Sequence, residues 1–293
     1  MTRLEFSTQL SYNVLDDGCD FIFNIQAAHT SRQTVVYESL HINQDLSANH
    51  YTDPLTQNRF LRLRAEHGSL TITYNAQVDL AHYVAKPADL LESSWMNLPG
   101  NVLHYLYPSR YCQSDRLLML ANSEFAQIPS GYRRVQAICD WVNQHVSFQS
   151  NTTNSNTSAL DTVVERVGVC RDFAHLMIAL CRAVNIPARM VSGMDYGADP
   201  ALGPTDFHAY VEVYLLEGTA SGRWYIFDPS GTAIPMGFVR FCTGRDAADI
   251  AFATLCGRVN ALQPVISIES VPDGNGLLIV PQHVGHALST DGP

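Results

Sequence analysis

The chain has 293 residues, 46% of them hydrophobic and 16% charged, with 28 Asp and Glu against 18 Lys and Arg. That composition fits one or two globular domains with a substantial core and excludes a disordered chain. A formal net charge of −10 with no dense Lys/Arg run argues against nucleic acid or an anionic membrane as partner.

The start, Met1 to Ser7, lacks the basic-then-apolar pattern of a signal peptide, and no stretch is long and apolar enough to span a bilayer. Seven scattered cysteines give neither a disulfide framework nor a Cys-x-x-Cys pair. A cytoplasmic location is therefore expected.

Residues 1–85 read as strands. Phe21–Ile25 and Thr34–Glu38 carry β-branched and aromatic residues between turn-forming segments, while Leu61–Leu63 and Leu70–Tyr74 alternate with period two. Short strands joined by turns predict an N-terminal β-sandwich. His29, His41, His50, His67 and His82 are spread along this region without clustering, and no metal site is expected from them.

Residues 86–114, rich in Pro, Tyr and Asn, read as an ordered connector. Beyond it Val135, Ile138, Trp141, Val142 and His145 recur at helical spacing and define one apolar face. The run from Gln149 to Ser158 is almost wholly Asn, Thr and Ser, the composition of a surface loop. Ser158 and Asp161 form a capping-box pattern that starts a short helix through Val167, and Gly168 is expected to end it in a left-handed cap.

The next helix is expected to start near Cys170. Phe173, Leu176, Met177, Leu180 and Val184 follow helical spacing, and Asn185-Ile186-Pro187 stops it. A thiol on the first turn of a helix meets unpaired backbone N–H groups and the positive end of the helix dipole, both of which favour thiolate over thiol. Asp172 is expected to point away from the sulfur. His175, rotated about 140° from Cys170 around the helix, is expected to play a structural part.

Two further fragments supply partners for a nucleophilic cysteine. His208–Leu215 and Arg223–Asp228 read as the strands of a β-hairpin around Glu217–Gly222, with His208 at the start of one and Asp228 at the end of the other. A register centred on Gly218 would set His208 directly opposite Asp228, close enough for the carboxylate to orient the ring. The segment 193–207, with Gly197, Pro200, Gly203 and Pro204, is expected to be a loop that delivers His208 and borders the cleft with the polar 149–158 loop.

The motifs Gly168-Val-Cys-Arg-Asp-Phe-Ala-His175, Asn185-Ile-Pro-Ala-Arg189, His208-Ala-Tyr-Val-Glu-Val-Tyr214 and Phe227-Asp-Pro-Ser230 occur in this order. In this the chain resembles the bacterial transglutaminase-like superfamily, whose members are often proposed to be cysteine proteases. The resemblance covers roughly residues 115–240, and the N-terminal β region resembles the β-rich domain that precedes this core in bacterial members. One departure is Tyr210, where many members carry Trp.

The resemblance implies an α+β fold, an N-terminal β-sandwich followed by a papain-like, transglutaminase-like core. It also implies Cys170 as nucleophile, His208 as general base and acid, and Asp228 as the orienting carboxylate. The expected division is 1–85 for the β domain, 86–114 for the connector, 115–260 for the core and 261–293 for a C-terminal tail with short strands.

The oxyanion hole is expected to include the Cys170 N–H; Gln144, Gln149 and Trp141 lie upstream at plausible distances, and Trp141 is expected to belong to the core. The leading expectation is a cysteine-dependent peptidase or amidase acting on a peptide or protein, with no metal and no cofactor. Acyl transfer to an amine and a catalytically silent scaffold are the alternatives.

Overall fold

The computed structural model describes residues 1–198, 201, 205–218 and 222–291. Strand β1 (Thr2–Val14) alternates inward residues, among them Leu4, Phe6, Leu10 and Tyr12, with outward ones. β2 (Cys19–Phe23), β3 (Gln33–Ile42), β4 (Asn49–Thr52), β5 (Arg59–Ala65) and β6 (Gly68–Leu80) follow. β1 and β6 pair antiparallel over 13 residues, from Thr2 opposite Leu80 to Val14 opposite Gly68, and β3 lies beyond β6. A second sheet joins β2, β5 and β4. The apolar faces of the two sheets meet through rings such as Tyr12 and Phe21, whose centroids are 5.1 Å apart.

After the short strands β7 (Tyr83–Ala85) and β8 (Leu90–Leu91), the chain runs through several 3₁₀ turns, including Leu103–Leu106. Leu98, Val102 and Tyr105 pack there against Tyr214 and Trp224, so this connector is ordered by its own aromatic cluster. The helices are concentrated next: α1 (Leu118–Phe125), α2 (Tyr132–His145), then β9 (Ser147–Phe148), α3 (Ala159–Glu165), β10 (Val167–Gly168) and α4 (Cys170–Ala183).

An antiparallel sheet then forms from β11 (Ala188–Asp195), β12 (Phe207–Glu217), β13 (Arg223–Phe227) and β14 (Phe238–Gly244), in the order β13-β12-β11-β14. Helix α4 lies against β11 and β12 and also touches α1, α2 and α3. Every residue from Asp172 to Ala183 is buried. A helix covered on all sides belongs to a core, not to a surface layer, and α4 is the central helix of this one. Helices segregated from antiparallel sheets give the expected α+β class.

The C-terminal stretch differs from a tail. After α5 (Ala247–Ile250), β15 (Ala253–Cys256) pairs with β2, while β16 (Val259–Ala261) and β17 (Val265–Val271) both pair with β1. Residues 253–271 thus complete the two N-terminal sheets. Their alternation is too short to announce a partner more than 200 positions away. The last strand, β18 (Ala287–Ser289), pairs with β7. Beyond it Asp291 accepts hydrogen bonds from Arg189 and Arg240, 2.8 Å each.

Candidate active site

Cys170 is the first residue of α4, and Val169 before it is extended. The turn is fixed by Asp172, whose Oδ2 accepts the Val169 N–H at 2.9 Å and the Thr153 hydroxyl at 2.8 Å. The carboxylate therefore caps the helix and ties down the polar loop, and it is turned to the backbone and not to the sulfur. Arg171 adds a hydrogen bond to the Asn154 carbonyl oxygen.

Gly168 does not form the left-handed cap expected of it. Arg166 takes that conformation, with φ of 59°, and α3 ends at Glu165. Gly168 lies in β10 and is needed for space, since a Cβ there would stand 2.7 Å from Asp172 Cβ. The capping box at Ser158 and Asp161 is present, with the Ser158 N–H donated to Asp161 Oδ2 at 2.8 Å.

His208 and Asp228 come together by a different register from the one expected. The ladder pairs Val211 with Phe227 and Leu215 with Arg223, so its centre lies one position after Gly218. The turn residues Thr219, Ala220 and Ser221 are outside the described residues, as are Pro200, Gly203 and Pro204 of the segment before His208. A shift of the centre by one moves partners by two, which preserves the face of every side chain. Asp228 leaves the ladder just past Phe227 and reaches His208 diagonally, its Oδ1 3.3 Å from Nε2.

Asp228 is itself held by the Ser230 hydroxyl at 2.6 Å and by the Ala233 N–H at 3.3 Å. Burial opposes its charge, yet His208 and the Ser230 donors outweigh burial and hold this carboxyl below the usual range. For His208 burial likewise disfavours charge. Asp228, a hydrogen bond with the Cys170 side chain, and Asp195 together raise the ring well above the ordinary histidine value.

Of the seven thiols, all unpaired, five are buried, Cys256 is exposed on β15, and Cys170 is half-buried. Burial pushes Cys112 and Cys242 up to about 12 and Cys139 well above its ordinary value. Cys170 alone combines partial exposure, a helix N-terminus and a histidine partner.

Cys170 and His208 line one cleft of about 780 Å³. Ser150, Asn151 and Ser155 of the polar loop border it, as do Asp195, Ala198 and Asp206 from the segment before His208. The polar loop thus borders the cleft, whereas of the segment expected as a loop from 193 to 207, residues 193–195 belong to β11 and Phe207 to β12. Of the residues upstream of Cys170, Trp141 packs against the core as expected and stacks on His145, with centroids 4.0 Å apart, while Gln149 donates its N–H to the Gly168 carbonyl oxygen.

Sequence reasoning missed three parts of this cleft. Asp195 reads as loop but ends β11, two residues past the Gly193 that pairs with His208. Tyr111 is held on the wall by its N–H to Asp246 and its hydroxyl to the Ser155 carbonyl oxygen. Phe252 stacks on Phe207 at 4.6 Å, and its segment is fixed by Asn24 of the N-terminal sheets, which bonds the Ala251 and Phe252 carbonyl oxygens.

His175 is fully buried and accepts the Ala247 N–H at 3.2 Å, the structural part expected of it. No group of three potential metal-binding side chains occurs among the described residues. No helix of the described residues is long and apolar enough to cross a membrane.

An α+β core with a helix-capping cysteine facing a strand-borne histidine defines a class that comparison with known proteins makes specific. Residues 119–229 match the transglutaminase-like superfamily, and residues 2–101 match the bacterial transglutaminase N-terminal domain. A crystal structure of a Cytophaga hutchinsonii protein proposed to be a cysteine protease superposes with a TM-score of 0.88. It is 37% identical, over 98% of this chain and 97% of that one. An uncharacterized protein of Mycobacterium leprae is 26% identical over 199 residues, 64% of this chain and 68% of its own. An uncharacterized Mycobacterium tuberculosis protein is 30% identical over 110 residues, 36% of this chain and 35% of its own. The chain belongs to the transglutaminase-like superfamily and carries the bacterial N-terminal domain in front of the core.

Proposed function

We propose that the protein is a cysteine-dependent hydrolase of amide bonds, with Cys170 as nucleophile, His208 as general base and acid, and Asp228 as the carboxylate that orients the ring. The observation that carries this reading is His208 itself, with Asp228 on Nε2 and the Cys170 side chain as a further hydrogen-bond partner beside an open cleft. A scaffold needs no such arrangement around a half-exposed thiol.

In the proposed reaction the Cys170 thiolate attacks the carbonyl carbon, forming the S–C bond and moving the π pair onto oxygen. The Cys170 N–H at the start of α4 is the backbone donor best placed for that oxyanion. Asp228 holds Nε2, and Nδ1, which also has Asp195 Oδ2 at 3.3 Å, is the nitrogen that would serve sulfur and leaving group. As the C–N bond breaks, the Nδ1 proton passes to the departing amine and leaves a thioester. Water then gives one proton back to Nδ1 and its oxygen to the acyl carbon, and the C–S bond breaks to release the acid and the Cys170 thiolate.

We infer a peptide or protein chain as occupant, in keeping with the size of the cleft and with a net charge of −10 that disfavours nucleic acid. We likewise infer a reducing, cytoplasmic setting, supported by seven unpaired thiols.

The test is product analysis on a panel of peptide amides, with intact-mass detection of the acyl-enzyme. Wild type should release acid and amine through an adduct on Cys170, and Cys170→Ala should show neither. Products carrying an added amine would move the assignment to acyl transfer. No adduct and no turnover across the panel would sink both.

A further inference from the structure

His208 meets a second carboxylate. Asp195 Oδ2 lies 3.3 Å from Nδ1, on the edge of the ring opposite Asp228, and both side chains are nearly inaccessible, 5% exposed for His208 and 3% for Asp195. The contact follows from topology. Gly193 pairs with His208 across the β11–β12 ladder, and Asp195, two residues on, projects from the same face. Asp195 lines the cleft beside Cys170, so it stands on the side where bonds would be made and broken.

We infer that Asp195 is a positioning residue, a second carboxylate that holds the Nδ1 edge of His208 toward the cleft and balances the imidazolium whenever the Cys170 sulfur carries no charge. This rests on the hydrolase reading above. While sulfur is a thiolate it balances the ring itself. In the acyl-enzyme the sulfur is bonded and neutral, yet the ring must again become an imidazolium when it takes the proton of the attacking water. Asp228 serves Nε2 throughout, and Asp195 is the anion left on the Nδ1 side.

The titratable groups facing the ring are Cys170 from α4, Asp195 from β11 and Asp228 beyond β13; β14 contributes the uncharged ring of Phe238. Asp195 is faced by His208, Asp228 and Asp206. Burial pushes its carboxyl up, and His208 pulls it back.

The test is the titration of the His208 ring by nitrogen NMR, in wild type, Asp195→Asn and Asp195→Ala, with circular dichroism as the fold control. Removing an opposite charge at this distance should lower the His208 midpoint by roughly one pH unit or more in both variants, with the fold intact. Should neither variant fold, Cys170→Ala, in which no thiolate balances the ring, decides: both ring nitrogens are expected to be protonated at neutral pH, and a ring protonated only on Nε2 would overturn the inference.

Variants that titrate with wild type would also overturn it. Iodoacetamide labelling of Cys170 in His208→Ala separates the two readings. Slowed labelling there with an unchanged Asp195→Asn titration removes Asp195 alone, whereas labelling indifferent to His208 removes the hydrolase reading beneath it.

Discussion

The backbone of Gly193 pairs with His208 on one side and with Arg240 on the other, where the β11–β14 register also shifts. A Cβ at this position would stand 2.1 Å from the Val239 carbonyl oxygen, an obstacle that belongs to backbone and cannot swing aside. Gly193→Ala should therefore cost roughly 2 kcal/mol or more, read as a fall of several degrees in Tm; an unchanged Tm would contradict the close approach. The same position explains why Asp195 was hidden in the sequence. Its role depends on β11 running through Gly193 to Asp195, whereas the glycines and prolines after it read as one loop from 193 onward. The placement of Cys170, His208 and Asp228 was legible because each sits at or next to the end of an element with a strong local signal.

Helix α4 connects the cysteine to the rest of the core, and His175 shows how. Its ring stacks on Tyr111 at 5.0 Å and its Nε2 accepts the Ala247 N–H, which joins α4 to the start of α5, while Nδ1 has no hydrogen-bond partner among the described residues. Burial pushes this ring down to about 3, so it stays neutral in the fold. The unfolded chain takes up a proton as pH falls through about 6.5, and the folded chain refuses it. Stability should then fall from about pH 6.5 toward pH 3, by about 2 kcal/mol at pH 5. His175→Gln keeps an acceptor but does not titrate, and denaturant unfolding at pH 7 and pH 5 should show a smaller acid loss by that amount; an equal loss would contradict a neutral buried His175. Element starts were readable here from caps and periodicity. The ladder register and the left-handed position at Arg166 were not, because each is chosen by partners distant in sequence.

At the scale of the whole molecule, the N-terminal sheets cover the free edge of the core sheet. The edge groups of β14 are met by side-chain amides: Gln33 bonds both the N–H and the carbonyl oxygen of Arg240 at 2.8 Å. Asn58 does the same for Thr243, at 2.9 and 2.8 Å. An uncovered edge strand invites pairing with other chains, and here two amides close it. Through Asn24 the same sheets fix the Phe252 wall of the cleft, so the cleft is built by both parts of the chain. None of this was legible locally, since Gln33 and Arg240 are 207 positions apart. The α+β class was legible, because it needs only the order of elements. All of these supports converge on the pairing of Cys170 with His208, and the pH dependence of iodoacetamide labelling at Cys170, read by mass spectrometry in wild type and His208→Ala, tests it most directly. Fast labelling that persists below about pH 7 and is slowed by the substitution is the expected result. Labelling at the rate of an ordinary thiol, indifferent to His208, would contradict a nucleophilic Cys170.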